Sequence, residues 1–550
     1  MTGLDGSADE NGADQTLTGR TGQSVTGSVV LGDVIQIRDV GGNVSVTLSR
    51  PVYRVEGYPA ARFTLTVEQA RAQPSRLLLA RYELVPFAGR ADLLMELSGW
   101  LREAEPTSVR LIYGPGGQGK SRLAAQFARH HAAGWTAWQA RQAPPVSQRP
   151  ARIEMPVGAV GLLVVVDYAD RWPPSHLQAL ITDMHLLARR LPEPLPLRVL
   201  LLTRTAGFWW EALEQRLDAD YGIPAAADVL QPLGGEVDRA ELFAVAWRHF
   251  AAAMDTTGAG RAGPTPTPPG GLSEPGFGQV LTVHMAALAA ADAHRHGEAA
   301  PADPARVSAY LLKRERAHWQ QWHARAEDPL PTPPQVMSRA VYTATLTGPM
   351  SQAQGIEVLV RARVASVPDS ASQILDDHHK YYPPENPATV LEPLYPDRLG
   401  EDFIALTTPR QSPGTTPSVA TGPGDPAGFA DAWAATAIPG LLVPAAAEER
   451  SATWSGPAIA VLIETARRWR HIASDQLYPL LNAHPQLILQ AGGPALISLV
   501  ALPGVDLTLL ETIEAHLPRY RHVDLDPAFA HAVGCWVAGL MGWLLGRLWP

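Results

Sequence analysis

The chain has 550 residues, 46% of them apolar and 18% charged, with a net charge of −9 and a single cysteine, Cys535. That length is a prior of three or four domains and is ample for a sizeable core. The acidic balance argues against a surface that coats nucleic acid, and one cysteine excludes an internal disulfide framework or a Cys-rich zinc module. Met1 to Asp14 is polar and acidic and lacks the basic and apolar regions of a signal peptide, so a cytoplasmic protein is expected.

In chain order, residues 1–50 are expected to be a disordered lead followed by short strands, Val34–Ile37 and Asn43–Leu48, set off by glycines. An α/β block over 80–255 comes next. A helical block (275–328), a mixed block (335–405) and a second helical block (428–528) follow. Three stretches of linker composition separate them: Thr256–Gly271, Pro329–Pro334 and Arg410–Pro426. In the last block Ala458–Trp469, Gln476–Asn482 and Leu507–Leu517 carry apolar residues at helical spacing, which predicts stacked helical hairpins. Turn-like segments at His484-Pro485, Gly492-Gly493 and Pro503-Gly504 punctuate them. The tail 529–550 is apolar. Phe529–Gly546 has no Asp, Glu, Lys or Arg and is long enough for a membrane span, but His531 and its glycines favour a packed terminal helix or a shortened architecture.

The strongest signal is Gly114-Pro115-Gly116-Gly117-Gln118-Gly119-Lys120-Ser121, preceded by the apolar run Val109–Tyr113 and followed by a helix pattern from Arg122. Glycines let backbone N–H groups turn inward around a phosphate, and the helix start adds partial positive charge. Lys120 is suited to the β- and γ-phosphates and the Ser121 hydroxyl to Mg²⁺. The composition gives about 0.002 chance matches to this pattern. One of only three lysines, against 42 arginines, stands where a compact ammonium is needed.

Leu162–Val166 is a buried, parallel-type run that ends in Asp167, a carboxylate placed to hold Mg²⁺ through water. Asp170, three residues on, is a candidate for orienting the attacking water, with an exposed loop acid as the alternative. Leu197–Leu202 is a third such run; Thr203 and Arg204 at its end face the same crevice, and Arg204 is a candidate reader of the γ-phosphate. Upstream, Val85-Pro86-Phe87-Ala88-Gly89-Arg90 precedes a helix pattern, so Val85, Gly89 and Arg90 are candidates for the adenine side of the pocket. The expected fold is therefore α/β, a P-loop NTPase with a parallel sheet, and the expected ligands are ATP or ADP with Mg²⁺.

The order of Val85–Arg90, Gly114–Ser121, Asp167 and Thr203-Arg204 resembles the STAND class of signal-transduction P-loop ATPases, relatives of the NB-ARC switches. Further segments resemble actinobacterial members of that class. These are Asp167-Tyr168-Ala169-Asp170, Phe208-Trp209-Trp210, Leu281–Leu288 and Pro396-Asp397-Arg398-Leu399-Gly400-Glu401-Asp402. The resemblance implies a helical lid at 275–328, a winged-helix-like domain at 335–405 and a helical region at 428–528. It also implies a slow ATPase that works as a switch, a homo-oligomer on activation and a protein trigger. Relatives often continue into a tetratricopeptide array, which this sequence does not show, and a Met-His-Asp triplet is missing from 335–405.

Three alternatives stand beside the switch: a nucleotide-stabilised scaffold that hydrolyses nothing, a STAND-type transcription regulator and a membrane-tethered sensor using 529–546. The acidic balance and the lack of a basic recognition helix argue against the second. His130-His131, His294-x-His296 and His378-His379 lack a third metal ligand, and the tryptophans of Phe208–Trp210 and Trp319–Trp322 are expected to pack rather than stack on bases.

Overall fold

The computed structural model describes residues 52–60, 65–132, 134–142, 159–191, 193–234, 237–255, 271–384, 386–410, 426–443, 452–502, 504–505, 507–517 and 534. The strands expected at 34–37 and 43–48, and the apolar tail apart from residue 534, lie outside these residues. So do nearly all of the linkers Thr256–Gly271 and Arg410–Pro426.

Six strands form one sheet among the described residues. They are β1 (Tyr53–Gly57), β2 (Thr107–Tyr113), β3 (Trp135–Gln142), β4 (Gly161–Val166), β5 (Leu197–Thr203) and β6 (Ala225–Val229). Their order is β1-β3-β4-β5-β2-β6, parallel throughout except for β1, which runs antiparallel to β3 at the edge. The apolar runs at β2, β4 and β5 are the central strands. Both faces of these strands are covered, so they read as unbroken hydrophobic segments.

Side chains alternate across that sheet with the two-residue period of a strand. In β4, Leu162, Val164 and Val166 join one core, while Leu163 and Val165 join another. The first core is closed by α4 (Pro174–Arg190) and α5 (Phe208–Tyr221). The second is closed by α2 (Ala91–Trp100) and α3 (Lys120–Gln126). The helices α1 (Val67–Ala72) and α6 (Arg239–Ala253) instead join the core of the helical half.

That half begins with α7 (Val280–His296) and α8 (Pro304–His323), which pack against each other where the helical block 275–328 is expected. The block 335–405 holds α9 (Pro334–Thr347), α10 (Gln352–Arg361), α11 (Pro368–Tyr381) and α12 (Asp397–Thr407), with an isolated antiparallel bridge between Met350 and Val390. Next come α13 (Ala432–Leu442), α14 (Ser455–Ala466) and, after short turns at Arg470–Leu477, α15 (Tyr478–Ala483). The chain then forms α16 (Gln486–Ala491), α17 (Gly493–Val500) and α18 (Leu507–Glu514). One continuous apolar core runs from the α6–α7 contact to Ile513.

The segment Pro329–Pro334, of linker composition, is packed down in the fold. Leu330 is buried, and Thr332 donates from N and Oγ1 to Asp377 of α11 at 2.9 and 2.6 Å. Proline marks a rigid extended connector as readily as a flexible one, because it fixes φ. Trp209, Trp210 and Trp319 are buried in the cores, as packing residues.

The α11 helix carries a pH dependence. His378 is buried and its Nε2 has no hydrogen-bond partner; burial, then the neighbouring His379, push its pKa from 6.5 to about 3. The folded chain therefore keeps a neutral ring while the unfolded chain takes up a proton below about pH 6.5. Stability from this site is complete above that pH and is lost as the pH falls towards the folded value. At pH 5 the loss is about 2 kcal/mol. Denaturant titrations at pH 7 and pH 5 should show that His378→Leu reduces the pH-dependent drop by about this amount. An equal drop in both proteins would place the titrating group elsewhere.

Candidate functional site

Parallel strands deliver the residues that follow them to one edge of the sheet. Tyr113 is level with Thr203, and Val166 with Leu201, so Gly114, Arg204 and Asp167 open three loops at the same edge. Because β5 lies between β4 and β2, Arg204 falls between the glycine loop and Asp167.

The loop Gly114–Gly119 turns on glycine. Gly117 and Gly119 have φ of +84° and +90°, a region other residues rarely occupy. Gly114 N donates to Thr203 O at 3.2 Å, and Leu281 N of α7 donates to Gly117 O at 3.0 Å, so the loop is tied to both β5 and the helical half. Gln118 is buried. Lys120 begins α3, and its Nζ donates to Gly114 O at 2.6 Å and Pro115 O at 3.1 Å. Burial, then Arg204, lower its pKa to about 8, against the pull of Asp167, Asp170 and Asp397.

Ser121 Oγ donates to Asp167 Oδ2 at 2.6 Å, and Tyr168 N donates to Oδ1 at 2.9 Å. Burial raises the Asp167 pKa; the two hydrogen bonds and Lys120 oppose it. A strand–glycine loop–helix on β2, with a carboxylate ending β4 two strands away and bonded to the loop's serine, decides the architecture. The fold is that of a P-loop NTPase. Its residues fit the expected ligands. A hydroxyl and a carboxylate in contact are hard oxygen donors of the kind Mg²⁺ takes, and a glycine cradle with a helix start and an ammonium suits phosphate.

Of the adenine-side candidates, the structure ties Val85 to Arg122. Its guanidinium donates to Val85 O at 2.7 Å and lies 3.6 Å from Glu83. Gly89 and Arg90 are both left-handed, with φ of +73° and +64°, where the chain enters α2, and Arg90 donates to Gln231 O at 2.6 Å. His284 of α7 is half-buried near Arg122; desolvation, then that charge, lower its pKa to about 4.

Asp170 is engaged through one of its two oxygens. Its Oδ2 accepts from Arg204 N at 3.3 Å, and its buried Oδ1 has no hydrogen-bond partner. The Arg204 guanidinium lies against three carboxylates: Asp397 at 2.9 Å, Glu401 at 2.8 Å and Glu464 at 3.0 Å. Burial opposes its charge, but Glu401, Asp397 and Glu464 outweigh that and hold its pKa well above the ordinary value. Sequence reasoning had no role for Asp397, Glu401 or Glu464 at this site. The signal available was the segment Pro396–Asp402, which is set apart in the sequence without a chemical task.

No family model and no curated protein matches the chain. Among the solved structures to which it is similar are two with low overall overlap. One is the Aeropyrum pernix ORC2 protein in ADPNP–ADP complexes, 14% identical, covering 58% of this chain and 94% of that one, with a TM-score of 0.26. The other is the Walker-type ATPase paby2304 of Pyrococcus abyssi, 13% identical, covering 56% and 94%, with a TM-score of 0.25. The P-loop NTPase fold itself stands on the strand order and the loop. No helix among the described residues is long and apolar enough to cross a membrane.

Proposed function

We propose that the chain binds ATP or ADP with Mg²⁺ at Gly114–Ser121 and uses it as a STAND-type switch, with slow hydrolysis and self-association on activation. The observation that carries the nucleotide part is Ser121 bonded to Asp167 at the mouth of a glycine loop that ends in Lys120. Lys120 supplies positive charge to the β- and γ-phosphates, Ser121 and Asp167 supply oxygen ligands, and Arg204 stands beside the loop for the γ end. When bound, Mg²⁺ neutralises phosphate charge. The switch part is supported by contacts from outside the NTPase domain. Leu281 of α7 is bonded to the loop, and Gln279, beside Gly117, accepts from Arg398 of α12 at 2.9 Å. A ligand at that loop thus presses on helices of two later blocks.

Asp170 supports a second reading, a scaffold that binds nucleotide without hydrolysing it, because its carboxylate is engaged with the Arg204 backbone. One assay separates the two. Wild-type protein with ATP and Mg²⁺ should release phosphate slowly, and chelation by EDTA should stop release and weaken ATP in calorimetry. Binding without release would select the scaffold, and no binding would remove the proposal.

A further inference from the structure

Two segments far apart in the sequence meet across the molecule, and the second has no task in the phosphate chemistry. Asp167-Tyr168-Ala169-Asp170 closes β4, and Pro396–Asp402 opens α12, more than two hundred residues later. Asp397 Oδ2 accepts from Arg204 at 2.9 Å and from Arg171 at 3.2 Å, and Tyr168 hydrogen-bonds the same carboxylate. Glu401, one turn on, and Glu464 of α14 complete the set around Arg204.

The arrangement is tightly held. Arg468 bonds Glu401 and Asp402 at 2.7 Å each, and Asp402 also accepts from Ser308 of α8 at 2.6 Å. Gly400 lets α12 seat: a Cβ there would stand 2.6 Å from Leu394 O and 2.8 Å from Thr345 Cγ2. The Arg204 guanidinium meanwhile stands next to the phosphate loop: a Cβ placed on Gly116 would lie 3.5 Å from its Cζ. An arginine resting on the loop is thus saturated by carboxylates from helices outside the NTPase domain.

We infer that Asp397 is a tethered stand-in for the γ-phosphate, and that the Asp397–Arg204–Glu401 latch makes this arrangement favour ADP over ATP. The inference rests on the nucleotide proposal above. ADP ends at its β-phosphate and leaves the latch alone. A γ-phosphate brings further negative charge towards Asp397 and Glu401, and like charges at close range are disfavoured. Asp397 already acts electrostatically on Lys120 and Asp167, so it lies within range of the phosphate site. To claim Arg204, ATP must displace α12 and α14 from it. That differential contact is what allows a ligand to shift a conformational equilibrium.

The test compares ADP with a non-hydrolysable ATP analogue by calorimetry, and the radius of gyration by solution scattering across the analogue titration. The double variant Asp397→Asn with Glu401→Gln should raise the affinity for the analogue relative to ADP by about tenfold or more. Expansion of the particle should then occur at correspondingly lower analogue concentration. Glu464→Gln, a milder change that removes one of the three carboxylates, should move the ratio in the same direction by less and guards against a double variant that fails to fold. Wild-type protein that binds both nucleotides, with the ratio unmoved in either variant, overturns the latch alone. Wild-type protein that binds neither overturns the nucleotide proposal and the latch together.

Discussion

Lys120→Ala is expected to weaken ATP by about a hundredfold or more while leaving the unfolding transition near that of the wild type. The two halves of that expectation have separate causes. A charge-assisted contact is worth about 1.5–3 kcal/mol, and Lys120 is placed to make two, one to each of the β- and γ-phosphates. Without ligand, the ammonium is satisfied only by Gly114 O and Pro115 O within its own loop, so its removal strips no contact from either sheet core. Alanine also has the highest intrinsic helix propensity, so it is compatible with α3. Calorimetry with ATP, beside a thermal melt, reads both. Unchanged ATP affinity would remove the phosphate role from Gly114–Ser121.

The site was legible in the sequence wherever one local pattern set both structure and chemistry. The central strands β2, β4 and β5 are covered on both faces, so each is an apolar run, and each run ends in the residue that reaches the sheet edge: Gly114, Asp167 and Arg204. The outer strands carry no such pattern. β6 is Ala-Ala-Ala-Asp-Val with half-exposed side chains, β3 mixes Trp, Gln and Arg, and β1 enters from outside the block expected to begin at 80. In the helical half, α16 and α17 are only six and eight residues long and are bounded by Pro485 and Gly492, so their apolar periodicity is too brief to separate from turns. Arg198 is instructive in the other direction. It stands inside the apolar β5 run and is fully buried, because it reaches the carbonyls of Trp100, Glu103 and Glu105, which satisfy its donors. The latch acids could not be placed from sequence, because ion pairs spanning two hundred residues depend on how whole domains pack. Charge at Asp397 or Glu401 reads locally as an exposed helix start.

Asp167→Asn should keep nucleotide and lose turnover, by about a hundredfold or more at saturating ATP and Mg²⁺. Asparagine is nearly the same shape: its Oδ1 can still accept from Tyr168 N, while its Nδ2 can donate to Ser121 Oγ, so both contacts that fix the native carboxylate persist with the second reversed in direction. Burial works against the charge at this position, so neutralising it removes an unfavourable term and the folded state should be no less stable than the wild type. What asparagine lacks is the full negative charge that makes an oxygen a strong ligand for a hard dication. Binding and turnover therefore separate. ATP affinity, carried mainly by the loop and Lys120, should stay within about tenfold of wild type, while phosphate release falls to background. Asp170→Asn is the control. The Asp170 carboxylate accepts from the Arg204 backbone, so this variant should alter turnover less than Asp167→Asn. If Asp167→Asn releases phosphate at the wild-type rate and Asp170→Asn does not, the metal carboxylate is Asp170. The Ser121–Asp167 contact would then serve only to seat α3 against β4.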